Sequence, residues 1–196
     1  RIIPKEFGDT EMGRDLLGDD IPPDEINIVK NASFYGWPYC YGKNIRDNSF
    51  SLTGLNPVTK VGMVTADICD RSIPSHIDLQ AHSAPFGLAF IPTREVVNKY
   101  AIAEKLTTSG SWPAEYEGDL LVSFHGSWNR TEPTGYKIVR IKLDKNGNYE
   151  GIDDFLTGFT EGTRAKGRPV DLLFDAKGTL YISDDKAGAV YRISKI

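Results

Sequence analysis

The six residues His125–Arg130, HGSWNR, put an imidazole, an indole, an amide and a guanidinium on one short stretch. Side chains of these types bind polar ligands and move protons. The stretch lies between two segments that read as strands, Leu120–Phe124 and Tyr136–Leu143, where function tends to concentrate. Downstream, Lys166 and Arg168 stand two apart in TRAKGRPV. On an extended segment that spacing puts both on one face. They read either as a solvated basic loop or as a clamp for a carboxylate, to which the planar fork of Arg is suited. Upstream, FGDTEMGRDLLGDD crowds acids and glycines into 7–20. Such a segment is a solvated loop or a source of the hard oxygen ligands that Ca²⁺ takes, although its spacing is not that of an EF-hand. Glu25 falls on the strand face opposite Ile26 and Ile28, as a rim acid or a metal ligand. His82 beside a turn and Trp128 on its loop serve either packing or ligand contact.

The elements that would position these groups are short strands. GDLLVSFHGSWNRTEPTGYKIVRIKL (118–143) returns as GTLYISDDKAGAVYRISKI (178–196). Setting Gly118 on Gly178 pairs Leu120 with Leu180, Val122 with Ile182 and Ser123 with Ser183. Val139–Ile141 then answers Tyr191–Ile193 at an offset of 52 instead of 60, so the first copy holds eight extra residues in its connection. An ordinary hairpin loop needs only two to five. Further strands are expected at Ile26–Lys30, Phe86–Ile91, Asp154–Phe159, Pro169–Asp175, Thr179–Asp184 and Ala189–Ser194. One short helix is expected around Glu95–Leu106, and 43–82 reads as a long excursion of weak periodicity. Antiparallel repeats of about 40 to 50 residues point to an all-β fold of the β-propeller type. Loops at one end of the blades then converge on the axis, so that 125–130 and 163–168 can share a site.

With 196 residues, 40% of them hydrophobic, the chain can bury the core of one domain. Its net charge of −4 argues against nucleic acid or an anionic membrane as a partner, and no apolar run has the length of a membrane span. Nineteen glycines and eleven prolines fit many short strands with tight turns. The chain starts at Arg1, without Met, and reads as a processed or truncated piece. Its two cysteines, Cys40 and Cys69, are either buried thiols or a disulfide, which needs an oxidising compartment. Asn31-Ala32-Ser33 and Asn129-Arg130-Thr131 match the glycosylation pattern, which arises often by chance.

Five blocks carry a resemblance: LGDDIPPDEIN (17–27), YGWPYCYG (35–42), AHSAPFGL (81–88), FHGSWNR (124–130) and GRPV (167–170). In this order they resemble the PQQ-dependent glucose/sorbosone dehydrogenases, closest to the L-sorbosone dehydrogenase-like branch and related to soluble aldose sugar dehydrogenases. The resemblance implies the C-terminal blades of a six-bladed propeller with four-stranded antiparallel blades, about three of them in 1–196, the N-terminal half being absent. It implies oxidation of an aldose or related aldehyde by hydride transfer to PQQ, with Ca²⁺ as Lewis acid and an external electron acceptor. By position, Gly13 and Arg14 match carbonyl ligands of the cofactor calcium, and Glu25 with the Tyr35 carbonyl match a second, structural calcium; Asp47 is a further, loosely aligned ligand. Lys166 and Arg168 match the cations that hold PQQ carboxylates, and His125 falls where relatives often carry a lysine. His82 and Trp128 would line the substrate mouth. The family's general-base histidine would lie upstream of Arg1, so the piece alone is expected to be inactive. Cys40 and Cys69 match a cysteine pair of the sorbosone-like branch, implying a disulfide and a periplasmic or secreted protein. The rival readings are a calcium-dependent propeller lactonase and a non-catalytic carbohydrate- or protein-binding module.

Overall fold

The computed structural model describes residues 7–50, 68–104 and 112–194. Three antiparallel sheets follow one another along the chain. The first has the order β1 (Phe7–Glu11), β2 (Asp24–Val29), β5 (Ile77–Leu79). Between β2 and β5 lie a two-stranded hairpin, β3 (Cys40–Tyr41) with β4 (Ile45–Arg46), and a 3-10 turn at Ile68–Arg71. The second sheet runs β6 (Pro85–Phe90), β7 (Leu120–Phe124), β8 (Lys137–Leu143), β9 (Tyr149–Leu156). A small hairpin, β10 (Thr160–Glu161) with β11 (Arg164–Ala165), leads to the third sheet, β12 (Pro169–Phe174), β13 (Leu180–Asp184), β14 (Ala189–Ile193).

The repeat expected from the sequence is present as equal register. Leu120 opposes Ile141 and Val122 opposes Val139 in the second sheet, as Leu180 opposes Ile193 and Ile182 opposes Tyr191 in the third. The connection is 125–136 in one and 185–188 in the other, so the eight extra residues all fall in the loop.

Strand alternation explains how the sheets stack. Leu120, Val122, Phe124, Val139 and Ile141 face the first sheet and pack on Ile26, Ile77 and Leu79. Leu121 and Ile138 point the other way, onto Leu172, Leu180 and Ile182 of the third sheet. β7 is therefore buried on both faces, which is why it reads as an unbroken apolar run. Ser123 interrupts that run because it links strands. Its hydroxyl donates to the Val170 carbonyl at 2.5 Å and accepts from the Gly87 N–H at 2.9 Å, joining β6 to β12. Gly87 is required there, since a Cβ would lie 2.6 Å from the Asp171 Cα. The cations interleaved in β8 pair with acids: Lys137 with Asp154, Lys142 with Asp153, and Arg140 with Asp153 while lying 3.9 Å over the Tyr116 ring.

Some boundaries differ from the sequence expectation. The outer strand expected at Asp154–Phe159 is Tyr149–Leu156, because Asp144 organises a tight turn through the N–H groups of Asn146 and Asn148 and the return strand starts directly after it. The expected strand Ile26–Lys30 begins earlier, at Asp24, drawn in by pairing of Asp24 with Leu79. The helix is α1 (Arg94–Ala103), capped by the Thr93 hydroxyl on the Val96 N–H; positions 105 and 106 of the expected span lie outside the described residues, as does 51–67 of the excursion. No helix among the described residues is long and apolar enough to cross a membrane.

Cys40 and Cys69 are joined in a disulfide, resolving the choice the sequence left open. The bridge ties β3 to the 3-10 turn across a separation of 29 residues. In the chain-entropy treatment such a loop contributes about 3–4 kcal/mol. Reduction with dithiothreitol is expected to lower the melting temperature by at least about 6 °C in a thermal scan; an unchanged transition would show that the bridge does not constrain the unfolded chain.

Candidate functional site

The strand ends that share one side of the stacked sheets bring the singled-out residues into two neighbouring clusters. The first is built around Arg168, just before β12. Its backbone N–H donates to Asp184 at 2.9 Å, fixing the segment against the end of β13. Its guanidinium donates from Nε to the His125 carbonyl at 3.1 Å and from one terminal nitrogen to the Gly126 carbonyl at 2.5 Å, 5.4 Å over the Tyr136 ring. Gly126 is obligatory at the start of the long loop: its φ is 103° and a Cβ would run into the Tyr136 ring.

These partners of the guanidinium are neutral carbonyls, and no carboxylate of the described residues forms an ion pair with it, so its charge remains available to an anion. Lys166 differs. Expected on one face with Arg168, it instead reaches Glu161 across the β10–β11 hairpin at 3.1 Å, both side chains more than half exposed. The reason is local: the N–H groups of Lys166 and Gly167 both donate to the Phe159 carbonyl, so the segment curls and does not run extended. His125 lies at the end of β7 with its Nε2 3.0 Å from both oxygens of Asp185 and its ring edge-on to Phe86 at 4.8 Å. The His125 hydrogen bond keeps the Asp185 carboxyl below its ordinary range.

The second cluster is the acidic stretch 13–20 gripped by the long loop. The Asn129 amide donates to Asp15 at 2.7 Å, Arg130 reaches Asp20 at 3.2 Å and the Asp19 carbonyl, and the Thr131 N–H donates to the Asp19 carboxylate at 3.1 Å. That N–H is the main reason Asp19 ionises more readily than usual. His82, 5% exposed and at φ 63°, belongs to this grip: its Nε2 lies 2.8 Å from the Gly18 carbonyl and donates to it, while Nδ1 lies 3.5 Å from the Asn129 amide and 3.7 Å from the Asp15 carboxylate. Trp128, by contrast, stands 72% exposed at the loop's outer edge.

The carbonyls of Gly13 and Arg14 receive no hydrogen bond from any described residue. Gly13 is packed so closely that a Cβ would lie 2.6 Å from Pro22 and 2.9 Å from the Pro23 carbonyl. The Arg14 side chain turns away to Asp47 at 2.5 Å and Ser49 at 2.8 Å, so only its backbone is presented. Asp47 is thereby occupied as an ion-pair partner: burial favours its protonated form, but Ser49 and Arg14 outweigh that and hold it below the usual range. Glu25 accepts from the Gly42 N–H at 2.5 Å and from Asn27 at 3.1 Å, leaving neither oxygen idle, and the Tyr35 hydroxyl ties Ile28 to Lys30. Among the described residues no three His, Cys, Asp or Glu side chains form a metal cluster.

Two acids not singled out by the sequence hold this end together. Asp24, 1% exposed, accepts from the Gly13 N–H at 3.0 Å and the Ala84 N–H at 2.9 Å, tying the entry to β6 to the acidic loop. Burial pushes its carboxyl up to about 6. Glu11 directly opposes Glu25, which opposes Asp78, a row of three carboxyls across the first sheet. Burial first, then the charges of Glu25 and Asp9, push Glu11 up to about 7.

Comparison with known proteins bears on this arrangement. The TrAA12-like family model matches residues 16–196. An uncharacterized protein of Borreliella burgdorferi is 34% identical over 194 residues, which is 97% of this chain and 44% of that protein. A pyrroloquinoline quinone-dependent pyranose dehydrogenase of Coprinopsis cinerea is 33% identical over 97 residues, 40% of this chain and 13% of that protein. Among solved structures, the calcium structure of Trichoderma reesei Carbohydrate-Active Enzymes Family AA12 superposes with TM-score 0.59 at 22% identity, covering 93% of this chain and 46% of that one. The holo form of the pyranose dehydrogenase PQQ domain from Coprinopsis cinerea gives 0.58 at 22% identity, covering 95% and 49%. These structural likenesses establish a shared fold. The chain spans less than half the length of the curated relatives it matches.

Two outcomes follow from the buried acids. Asp24→Ala leaves two backbone donors without their acceptor and is expected to cost about 2–4 kcal/mol in chemical denaturation; a loss under about 0.5 kcal/mol would mean that water replaces the carboxylate. Glu11 holds its proton more tightly folded than unfolded, so its stabilising contribution is present below the unfolded value of 4.5 and is lost as pH rises through about 7. In metal-free buffer the melting temperature should therefore fall between pH 5 and 8, Asp24 acting in the same direction. Glu11→Gln should reduce that fall and melt about 2–4 °C above the wild type at pH 8; parallel curves for the two proteins would place the pH response elsewhere.

Proposed function

We propose, since the chain belongs to the TrAA12-like family, that it forms the C-terminal blades of a six-bladed β-propeller whose complete form is a PQQ- and Ca²⁺-dependent sugar dehydrogenase. The observation that carries this reading is the Arg168 guanidinium. It is locked on two carbonyls and has no ion-pair partner among the described residues, and the segment holding it is tied through Ala84 and Asp24 to the loop of Gly13 and Arg14.

The residues present fit that pairing of groups. An unpaired guanidinium suits a carboxylate of the cofactor, and oxygen-only ligands suit a hard divalent ion. PQQ, when bound, accepts hydride from the sugar while Ca²⁺ polarises a quinone oxygen. Arg168 would fix the cofactor's carboxylates, with Lys166 joining if it releases Glu161; His125, whose Nε2 is taken by Asp185, would line the same mouth without meeting those carboxylates. Gly13 and Arg14 would hold calcium through their carbonyls. Trp128 would offer an aromatic face to the sugar, and His82 would keep the 15–20 loop in place at the mouth. The fit of a second calcium at Glu25 and the Tyr35 carbonyl is poorer, because both Glu25 oxygens already accept hydrogen bonds. The chain would act together with an N-terminal propeller half supplying the general base, and with an external electron acceptor. Its disulfide supports a periplasmic or secreted setting.

Absorbance spectroscopy with PQQ, Ca²⁺ and aldoses tests the proposal. This chain alone should bind PQQ without bleaching the quinone. Mixed with the N-terminal half of the same polypeptide it should bleach it on sugar addition, and Arg168→Ala should weaken PQQ binding at least about tenfold. Bleaching by this chain alone would refute the upstream base, and unchanged PQQ affinity in Arg168→Ala would refute the anchor.

A further inference from the structure

His125 and Asp185 are equivalent positions of the repeat, each the first residue after the second strand of its sheet. The register that stacks the two sheets makes these equivalents meet, imidazole against carboxylate, at the ends of β7 and β13. Resting on the sugar-binding part of the reading above, we propose that Asp185 is a positioning residue. Its carboxylate takes the Nε2 hydrogen of His125, fixing the tautomer that leaves Nδ1 as an open acceptor for a sugar hydroxyl.

The geometry supports each step. Nε2 is 3.0 Å from both Asp185 oxygens, and an ionised carboxylate can only accept, so the hydrogen lies on Nε2. The other ring nitrogen is then a lone-pair acceptor, since in neutral imidazole the bond made by one nitrogen sets the role of the other. No described residue hydrogen-bonds Nδ1. The residue is held at three further points: its backbone N–H donates to the Ala84 carbonyl at 2.9 Å, its backbone carbonyl accepts from Arg168, and Phe86 meets the ring edge-on at 4.8 Å. The His125 hydrogen bond, the largest influence on it, holds the Asp185 carboxyl below its ordinary range.

The same arrangement decides the kind of ligand. An anionic group brought to His125 would face the Asp185 carboxylate, which is 60% exposed on its side chain, and be repelled. A neutral polyol meets no such penalty and donates the hydrogen that Nδ1 lacks. Arg168 is left for the anion, and His125 takes the hydroxyl-bearing molecule, so the two residues divide the mouth between a charged and a neutral guest.

Imidazole ¹⁵N–¹H spectra at pH 8 read the tautomer directly, with no ligand present. The wild type should show the Nε2–H form, and Asp185→Asn should show a mixture or the Nδ1–H form. Titration with a panel of aldopyranoses should give an affinity that falls about tenfold in Asp185→Asn and in His125→Ala, and that returns in Asp185→Glu. Asp185 sits on an exposed turn, so its variants should melt with the wild type. An Nδ1–H tautomer in the wild type, or aldose affinity equal in wild type and Asp185→Asn, including none in either, would overturn the assignment. PQQ binding measured separately distinguishes the two ideas: its absence would sink the cofactor reading while leaving tautomer and aldose affinity as they are.

Discussion

A single buried carboxylate, Asp24, bridges backbone groups that lie far apart in the chain. Its oxygens accept from Gly13 on the loop after β1 and from Ala84 just before β6, a sequence separation of 60 for the second bond. A carboxylate can do this where an apolar side chain cannot, because both N–H groups point into a space closed to water. The cost of burying the charge appears as the upward pull on the Asp24 carboxyl, and the two hydrogen bonds offset part of it. With this link in place, the acidic loop and the entry to the second sheet cannot move independently. The position of Gly13 derives from it directly.

The second constraint is the burial of β7 on both faces. Layers that pack on both sides must present side chains of matched volume in alternating register, which leaves little freedom in the relative placement of three sheets. The polar residues tolerated inside this stack are those that bond across it. Ser123 joins β6 and β12, and its repeat equivalent Ser183 accepts from the Asp171 N–H. Rigid stacking is what lets two loops 43 residues apart, those of His125 and Arg168, meet through bonds of 3.1 Å and less. The loops themselves contribute few apolar contacts and depend on the sheets for their position.

Much of this was legible in the sequence because it is local or periodic. The repeat offset gave the equal register of β7–β8 and β13–β14, and it placed all eight extra residues in the long connection. Apolar alternation marked β2 and the strands of the second and third sheets, but not β1, which lies in the acidic segment, or β5, which lies in the long excursion. What was not legible depends on partners distant in sequence. Asp24 reads like any acid after a Pro-Pro stop, and nothing near it announces two donors from other segments. Asp185 sits in a DDKAG turn whose composition explains itself as a turn. Lys166 and Arg168 looked like a matched pair because spacing alone implies an extended segment; the shared Phe159 carbonyl that curls it lies outside that window. Nothing near His82 in the sequence announces that its ring is engaged by the Gly18 carbonyl, 64 residues away.

The electrostatics of the long loop follow from the same distinction between neutral and charged partners. Arg130 and Lys166 spend charge on the acids Asp20 and Glu161; the Lys166 pair is exposed on both sides, and such pairs contribute little to stability. Arg168 spends hydrogen bonds on carbonyls and keeps its charge. A guanidinium ordered in this way loses no further side-chain entropy when an anion arrives, and no carboxylate of the described residues must first be displaced. His125 supplies one of those carbonyls from its backbone, yet its ring is partnered by the Asp185 carboxylate. Two basic side chains of similar appearance in the sequence thus differ in kind. One is a standing positive charge, and the other is a hydrogen-bonding ring whose Nε2 is turned onto a carboxylate beside it.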